Sequence, residues 1–255
     1  MGTDSVIYIR TDGNSNIATG HLVRCLCIAQ ALESLGKDVC FLVSDTDSST
    51  LLQDLAASIF PEYSFSFNVK ILETAVYDNL ELEIEELKTI LTSDNRSLHT
   101  YEKATLNQTL PQKHQSRIYS KPVVFVDSYF VTEHYFSSLR EFARIAYMDD
   151  LRAFDYNVDM IINYDVIPPD RELEYQQTYK KAGITLLGAK YTPLRTQFQN
   201  QNVVLQKEIK SILITTGGSD PYHFSETLIF HLLSMKLNIE FHIVVGKLFQ
   251  DTNSL

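Results

Sequence analysis

Apolar residues in this chain come in two rhythms. Short unbroken runs, VIYI at 6–9, VCFLV at 39–43, PVVFVDSY at 122–129, RIAYMDD at 144–150 and MIINYD at 160–165, read as buried strands. Between them the spacing turns helical. Residues 21–35, HLVRCLCIAQALESL, place Leu22, Leu26, Ala29, Ala31, Leu32 and Leu35 at helical intervals, and Gly36 is a stop signal. Residues 48–57 predict a short helix capped by serine or threonine, 78–93 an acidic amphipathic helix, and 131–143 another helix. The polar stretch 95–120 reads as a helix followed by a loop. Strand, loop, helix and strand in alternation is the unit of a parallel sheet, so the chain to about residue 165 predicts a Rossmann-like layer.

A second unit of the same kind is expected further on. Residues 166–206 read as a connector, with a short strand and a turn at Pro193 inside ITLLGAKYTPLRTQF (184–198). Residues 211–235, SILITTGGSDPYHFSETLIFHLLSM, predict a strand, a glycine loop and a helix, and 239–246 a further strand. The expected division is 1–166 for an N-terminal domain, 167–204 for the connector and 205–255 for the start of a C-terminal domain. Two strands and one helix cannot cover both faces of a sheet, so this second domain is expected to be truncated.

Composition narrows the class. Apolar residues make up 44% and charged residues 21% of the 255, an ordinary globular balance with ample material for a core. The net charge of −10 argues against a nucleic-acid backbone as partner. No run approaches the ~18 apolar residues of a membrane span, and the N-terminus lacks the basic lead of a signal peptide. Three cysteines, Cys25, Cys27 and Cys40, show no paired metal spacing, so buried thiols in a reducing cytoplasm are expected.

The candidate chemistry sits in loops after strands. The loop after the first strand carries Asp12, Gly13, Asn14 and Asn16 and then Gly20 and His21 at a helix start. Backbone N–H groups are unpaired there, and the positive end of the helix dipole favours a neutral imidazole, which can take a proton from water. Arg24 follows one turn later on the same face, where it can bind a carboxylate or a phosphate; a capping histidine and a surface arginine are the plain alternative. Asp127, Asp149 and Asp150 fall at strand ends, where they can bind hydroxyls or the arginine, or cap the next helices. TTGGSDP (215–221) can approach an anion closely through Gly217 and Gly218, with Ser219 or Asp220 capping a helix that starts at Pro221, although it is neither a Walker A loop nor GxGxxG. Ser128 lacks a nucleophile elbow, which excludes a serine hydrolase of that type. His99, His114, His134, His223, His231 and His242 show no metal spacing; His231 is expected on a core face and His242 inside a strand. The acidic run ELEIEE (81–86) reads as a solvated helix face.

Taken in order, IRTDGNSNIATGHLVRCLCIAQAL, VVFVDSYFVT, YMDDL, VDMIINYD, LLGAKYTPLRTQF and ILITTGGSDP resemble the nucleotide-sugar hydrolases of pseudaminic acid biosynthesis and the related spore-coat polysaccharide proteins. The resemblance runs from residue 6 to about 246, apart from 68–120, and departs from the family where alanine and threonine precede Gly20. It implies an α/β protein with two Rossmann-like domains of the B-type glycosyltransferase fold, the second incomplete. It implies hydrolysis of a UDP-linked 2,4-diacetamido-2,4,6-trideoxyhexose to UDP and free sugar, in the cytoplasm, without metal or other cofactor. His21 would deprotonate the attacking water. Candidate substrate contacts are Asp12, Gly13, Asn14, Gly20, Arg24, Asp127, Tyr129 and Asp150, and candidate nucleotide contacts are Gly217, Gly218, Ser219 and Asp220. The partner would be a small UDP-sugar, and oligomeric state is not legible. A second glycine-rich segment of the family, which helps hold the nucleotide, has no counterpart in this sequence. A glycosyltransferase on the same fold and a non-catalytic nucleotide-sugar-binding protein are the alternatives.

Overall fold

The computed structural model describes residues 6–17, 19–93, 121–198, 204, 206–217, 220, 222–246 and 249. The expected helix and loop at 95–120 lie outside these, as do Gly218, Ser219 and Pro221.

Seven parallel strands form one sheet: β1 (Ile7–Thr11), β2 (Val39–Val43), β3 (Asn68–Ile71), β4 (Val123–Asp127), β5 (Arg144–Met148), β6 (Met160–Asn163) and β7 (Ile184–Leu187). Their order is β3-β2-β1-β4-β5-β6-β7. The chain therefore builds outward from β1 in one direction and then, from β4, in the other. Loops leaving β1 and β4 diverge to opposite sides of the sheet, which opens a crevice at the carboxyl ends of those two strands. Register brings the ends level: Ile7 pairs with Val123 and Thr11 with Asp127.

Side-chain alternation along the strands supplies both faces of the core. On one face Ile9, Phe41, Phe125 and Met148 pack with Leu22, Cys25, Leu26 and Ala29 of α1 (Gly20–Ser34) and with Leu52 and Leu55 of α2 (Thr46–Ile59). The buried stripe of α1 thus runs through 22, 25, 26 and 29, while Leu35 faces solvent. On the other face Tyr8, Leu42, Val124, Val126, Ile145 and Tyr147 pack with Leu87, Ile90 and Leu91 of a helix at 84–93 (α3) and with Tyr135, Phe136 and Leu139 of α4 (Glu133–Leu139). Cys25 and Cys27 are buried, Cys40 is half-buried, and all three are free thiols.

Several expectations are corrected. The cap of α2 is Asp45, whose carboxylate accepts from the Ser48 amide at 2.6 Å. A carboxylate suits the positive helix end, and it leaves the Ser48 hydroxyl free to donate to the Gly13 carbonyl at 3.1 Å. The sheet does not stop near residue 165: α5 (Glu172–Thr178) and β7 lie within the stretch expected as connector. β7 is the short strand expected at the start of 184–198, but it pairs with β6 as the edge of this sheet, with Ile184 half exposed. Gly183 is required just before it, because a Cβ there would stand 2.8 Å from the Asp159 carbonyl oxygen.

The acidic run 81–86 is not simply a solvated face. Glu83 is fully buried and receives Arg10 Nε at 2.8 and 2.9 Å and the Tyr135 hydroxyl at 2.8 Å. Arg10, on the α3/α4 side of β1, also pairs with Asp12 at 2.5 Å. Burial works to lower the Arg10 pKa, and the charges of Glu83 and Asp12 outweigh it, so the guanidinium stays ionised. Glu86 meanwhile ties down the 73–74 backbone by accepting from the Glu73 and Thr74 amides.

A second, two-stranded parallel sheet pairs β8 (Ser211–Thr215) with β9 (Glu240–Val244), joined through α6 (Phe224–Ser234). The helix starts at Phe224 and not at Pro221, since His223 occupies the left-handed region at the N-cap. Ser225 is the buried residue of α6, and His231 is exposed, not on a core face. His242 lies in β9, exposed, with Nε2 3.7 Å from Glu240.

Glu83→Ala strands the buried Arg10 cation beside one carboxylate. It is expected to destabilise the fold by about 3–5 kcal/mol in denaturant titration. Arg10→Met with Glu83→Leu should recover most of that loss; a double variant as unstable as Glu83→Ala would refute the ion-pair account.

Candidate functional site

The crevice at the ends of β1 and β4 is organised by one guanidinium. α1 begins at Gly20, so His21 and Arg24 sit in its first turns on one face, above the end of β4. Arg24 donates from Nε to Asp127 Oδ2 at 2.5 Å and from Nη2 to Asp127 Oδ1 at 2.5 Å. This is a bidentate fork, the strongest geometry available to the pair. Its Nη1 donates to Asp150 Oδ2 at 2.5 Å and to the Tyr164 hydroxyl at 2.6 Å. Three strand ends, of β4, β5 and β6, are thereby tied to one helix.

His21 is buried, and its Nδ1 lies 2.6 Å from Asp127 Oδ1. Asp127 is fully buried as well. Burial alone would raise its pKa, but the hydrogen bonds and charges of Arg24 and His21 more than offset this and hold it below the ordinary carboxylate value. An ionised Asp127 can only accept, and two lone pairs facing each other at 2.6 Å would repel. The 2.6 Å contact therefore assigns a proton to Nδ1, which donates to Asp127, and leaves Nε2 as the other ring nitrogen; Arg24 Nη2 also stands 3.0 Å from Nδ1, on the same side of the ring. The edge of this ring pair is closed by Tyr129, whose ring centroid is 4.4 Å from that of His21 at 71°. The Tyr129 hydroxyl donates to Asp150 at 3.3 Å.

These groups line a cavity of about 460 Å³. Gly20, His21, Arg24, Tyr129, Asp150 and Tyr164 form one side, and Thr192, Pro193, Leu194, Arg195 and Phe198 close it from the segment after β7. Of the residues expected to meet a substrate, five line this cavity or, as Asp127, sit directly beneath it; Asp127 acts through His21 and Arg24. Asp12 does not line it. Its carboxylate is turned inward, accepting from the Ser44 amide at 2.7 Å and pairing with Arg10, so it fastens β1 to the end of β2. Gly13 is bonded to Ser48 through both its N–H and its carbonyl. The Asn14 side chain accepts from the Asn16 and Ile17 amides and shapes the loop. In the second unit Gly217 has a positive φ of 89°, as a glycine loop requires. Asp220 accepts from the Phe224 and Ser225 amides at 2.9 and 2.8 Å, capping α6 from a distance. Asp149 neither meets Arg24 nor caps a helix: it accepts from the Tyr156 and Tyr179 hydroxyls and from the Leu151 and Arg152 amides.

Sequence reasoning misses three contributors. Tyr164 is one residue past β6, and only its position at a strand end marks it. Tyr77 receives a hydrogen bond from Asn16 at 3.0 Å, at the rim of the β1 loop. The 192–198 wall is reached only because β7 returns the chain to the sheet edge.

Comparison with known proteins fits this architecture. MurG of Acinetobacter baumannii, in its crystal structure, matches with a TM-score of 0.50 at 13% identity, over 95% of this chain and 61% of that one. The fold is that of the B-type glycosyltransferases. An uncharacterized protein of Methanocaldococcus jannaschii, MJ1062, is 25% identical over 261 aligned residues, covering 98% of this chain and 44% of that protein. The chain thus spans less than two thirds of either protein's length. No family model matches it. No described helix is long and apolar enough to cross a membrane.

Asp127→Asn removes a buried carboxylate from beneath Arg24 and is expected to cost about 3 kcal/mol of stability at neutral pH. Because the folded pKa of Asp127 lies below its unfolded value, its contribution is full above about pH 4 and fades as pH falls toward the folded value. Melting curves of the wild type and the variant should therefore converge on acidification; a gap that stays constant down to pH 3 would rule out the ion pair as its source.

Proposed function

We propose that the chain carries the catalytic half of a nucleotide-sugar hydrolase, with His21 as the general base. The observation that carries this reading is the buried Asp127–His21 pair, 2.6 Å apart, at a cavity that His21 lines. The Nδ1 proton is held by Asp127, whose own orientation is fixed by the Arg24 fork, so the imidazole is pinned in one tautomer and one pose. Nε2 then accepts a proton from water as the water oxygen bonds to the anomeric carbon. The bond from that carbon to the diphosphate oxygen breaks, and its electron pair leaves with UDP. The proton rests on His21, where the charge is balanced by Asp127, until it is lost to solvent. Tyr129 and Asp150, joined by a hydrogen bond at the cavity wall, are suited to sugar hydroxyl or amide groups.

Support for the substrate class comes from three sources. The fold is one that handles sugar nucleotides, the ordered motifs resemble the pseudaminic acid pathway hydrolases, and Gly217 supplies a backbone turn suited to a phosphate in the second unit. A UDP-linked 2,4-diacetamido-2,4,6-trideoxyhexose is the substrate proposed, and the cytoplasm is the proposed location. The glycosyltransferase fold favours a second reading, in which a sugar or lipid hydroxyl takes the place of water.

UDP release from this sugar nucleotide, without added acceptor, tests the proposal. His21→Ala is expected to lower turnover by roughly 10²–10⁴-fold at a temperature where its melting curve shows it still folded, although the melting temperature falls because buried Asp127 loses a donor. Release that appears only when an acceptor alcohol is supplied would favour the transferase, and turnover unaffected by His21→Ala would overturn the assigned role.

A further inference from the structure

Two arginines line the cavity, and they differ in one respect. Arg24 is spent: its fork is held by Asp127 and its remaining arm by Asp150 and Tyr164. Arg24 is thus shared between two carboxylates, so its charge is already matched. Arg195 lines the same cavity from the segment after β7. Its guanidinium carbon lies 4.6 Å from the centroid of the Phe198 ring. Stacking engages the flat face of a guanidinium and leaves its N–H edge free to bind in the ring plane. Among the described residues no carboxylate lies within ion-pair distance of it.

The charge of Arg195 is felt within the cavity. Burial pushes the thiol of Cys27, another lining residue, above its ordinary pKa, and Arg195 pulls it back. The cavity lining also includes the apolar residues Val23, Cys27, Pro193, Leu194 and Phe198. A cation in such surroundings is screened less than one in open water, and in a chain of net charge −10 it gives an anion a local reason to approach.

We propose that Arg195 is the anion-recognition residue of this cavity, seating the negative part of a ligand on the connector wall and its neutral part against His21. Resting on the nucleotide-sugar reading, the anion is the diphosphate, and Arg195 stabilises the charge that builds on the departing oxygen. The arrangement sets a polarity. The reacting carbon lies between a base that takes a proton on one side and a cation that holds the leaving group on the other.

The test is binding of inorganic pyrophosphate and of UDP, by titration calorimetry, to the wild-type chain, Arg195→Ala and Arg195→Lys. Arg195→Ala is expected to weaken both ligands by roughly 10–100-fold, the range of one charged hydrogen-bonding group. Arg195→Lys should recover part of the loss, having the charge without the fork. Arg195 is only half-buried, so all three proteins should melt alike, which separates lost binding from lost folding. Pyrophosphate binding that depends on Arg195, without UDP binding, would keep the anion site and remove the nucleotide. Affinities unchanged in Arg195→Ala, or no pyrophosphate binding by the wild type, would overturn the proposal. Turnover of His21→Ala judges the hydrolase reading separately.

Discussion

The contact between Arg24 and Asp127 is the constraint on which the site depends. A carboxylate buried at the end of β4 is tolerable only if a cation meets it, and a guanidinium in the first turns of α1 is held in place only if acids surround it. Each therefore requires the other. Their union has a geometric effect beyond its charge. It sets the rotation of α1 about its axis, and with it the direction of His21, three residues earlier on the same face. A base that must hold one proton and receive another has to be aimed, and here the aim comes from a neighbour that takes no part in proton transfer.

That contact is possible because of how the sheet is wound. Reversal of strand order between β1 and β4 leaves a gap above the two central strands, and their paired ends place Thr11 beside Asp127. The loop from β1 reaches over this gap before α1 begins. A second ionic cluster, Arg10 with Asp12 and Glu83, lies on the α3/α4 side of the same strand. It fixes the start of the loop as Arg24 fixes its end. Arg10 and Arg24 thus hold the thirteen residues between them at both ends, and the loop can remain rich in glycine and asparagine without being loose.

Much of this architecture can be read from the residues. Central strands buried on both faces are continuous apolar runs, and β1, β2, β4, β5 and β6 are found that way to within two residues at each end. β7 is read as a short strand, but inside the connector; its place in this sheet depends on pairing with β6 and is not marked locally. Glu83 misleads for a related reason: a carboxylate in an acidic run looks solvated until its partner is known, and that partner, Arg10, lies 73 positions away. His21, Arg24, Asp127 and Asp150 each stand out as strand-end or helix-start residues. Their contact does not, since it depends on parallel register between segments about a hundred residues apart. Asp12 shows the converse. Its loop position suggests a ligand contact, yet the cation two residues earlier, Arg10, draws the carboxylate into the interior.

The two walls of the cavity come from opposite ends of the folded sheet in chain order, the first from α1 and the second from the segment that follows β7. Contact across the cavity requires closure of so long a stretch that the enclosed pocket exists only once β7 has joined the sheet edge. Until then, His21 and Arg24 can be in place while no enclosed volume exists around them. A molecule that spans both walls binds only the finished sheet, and its binding energy adds to the stability of every strand that had to pair beforehand.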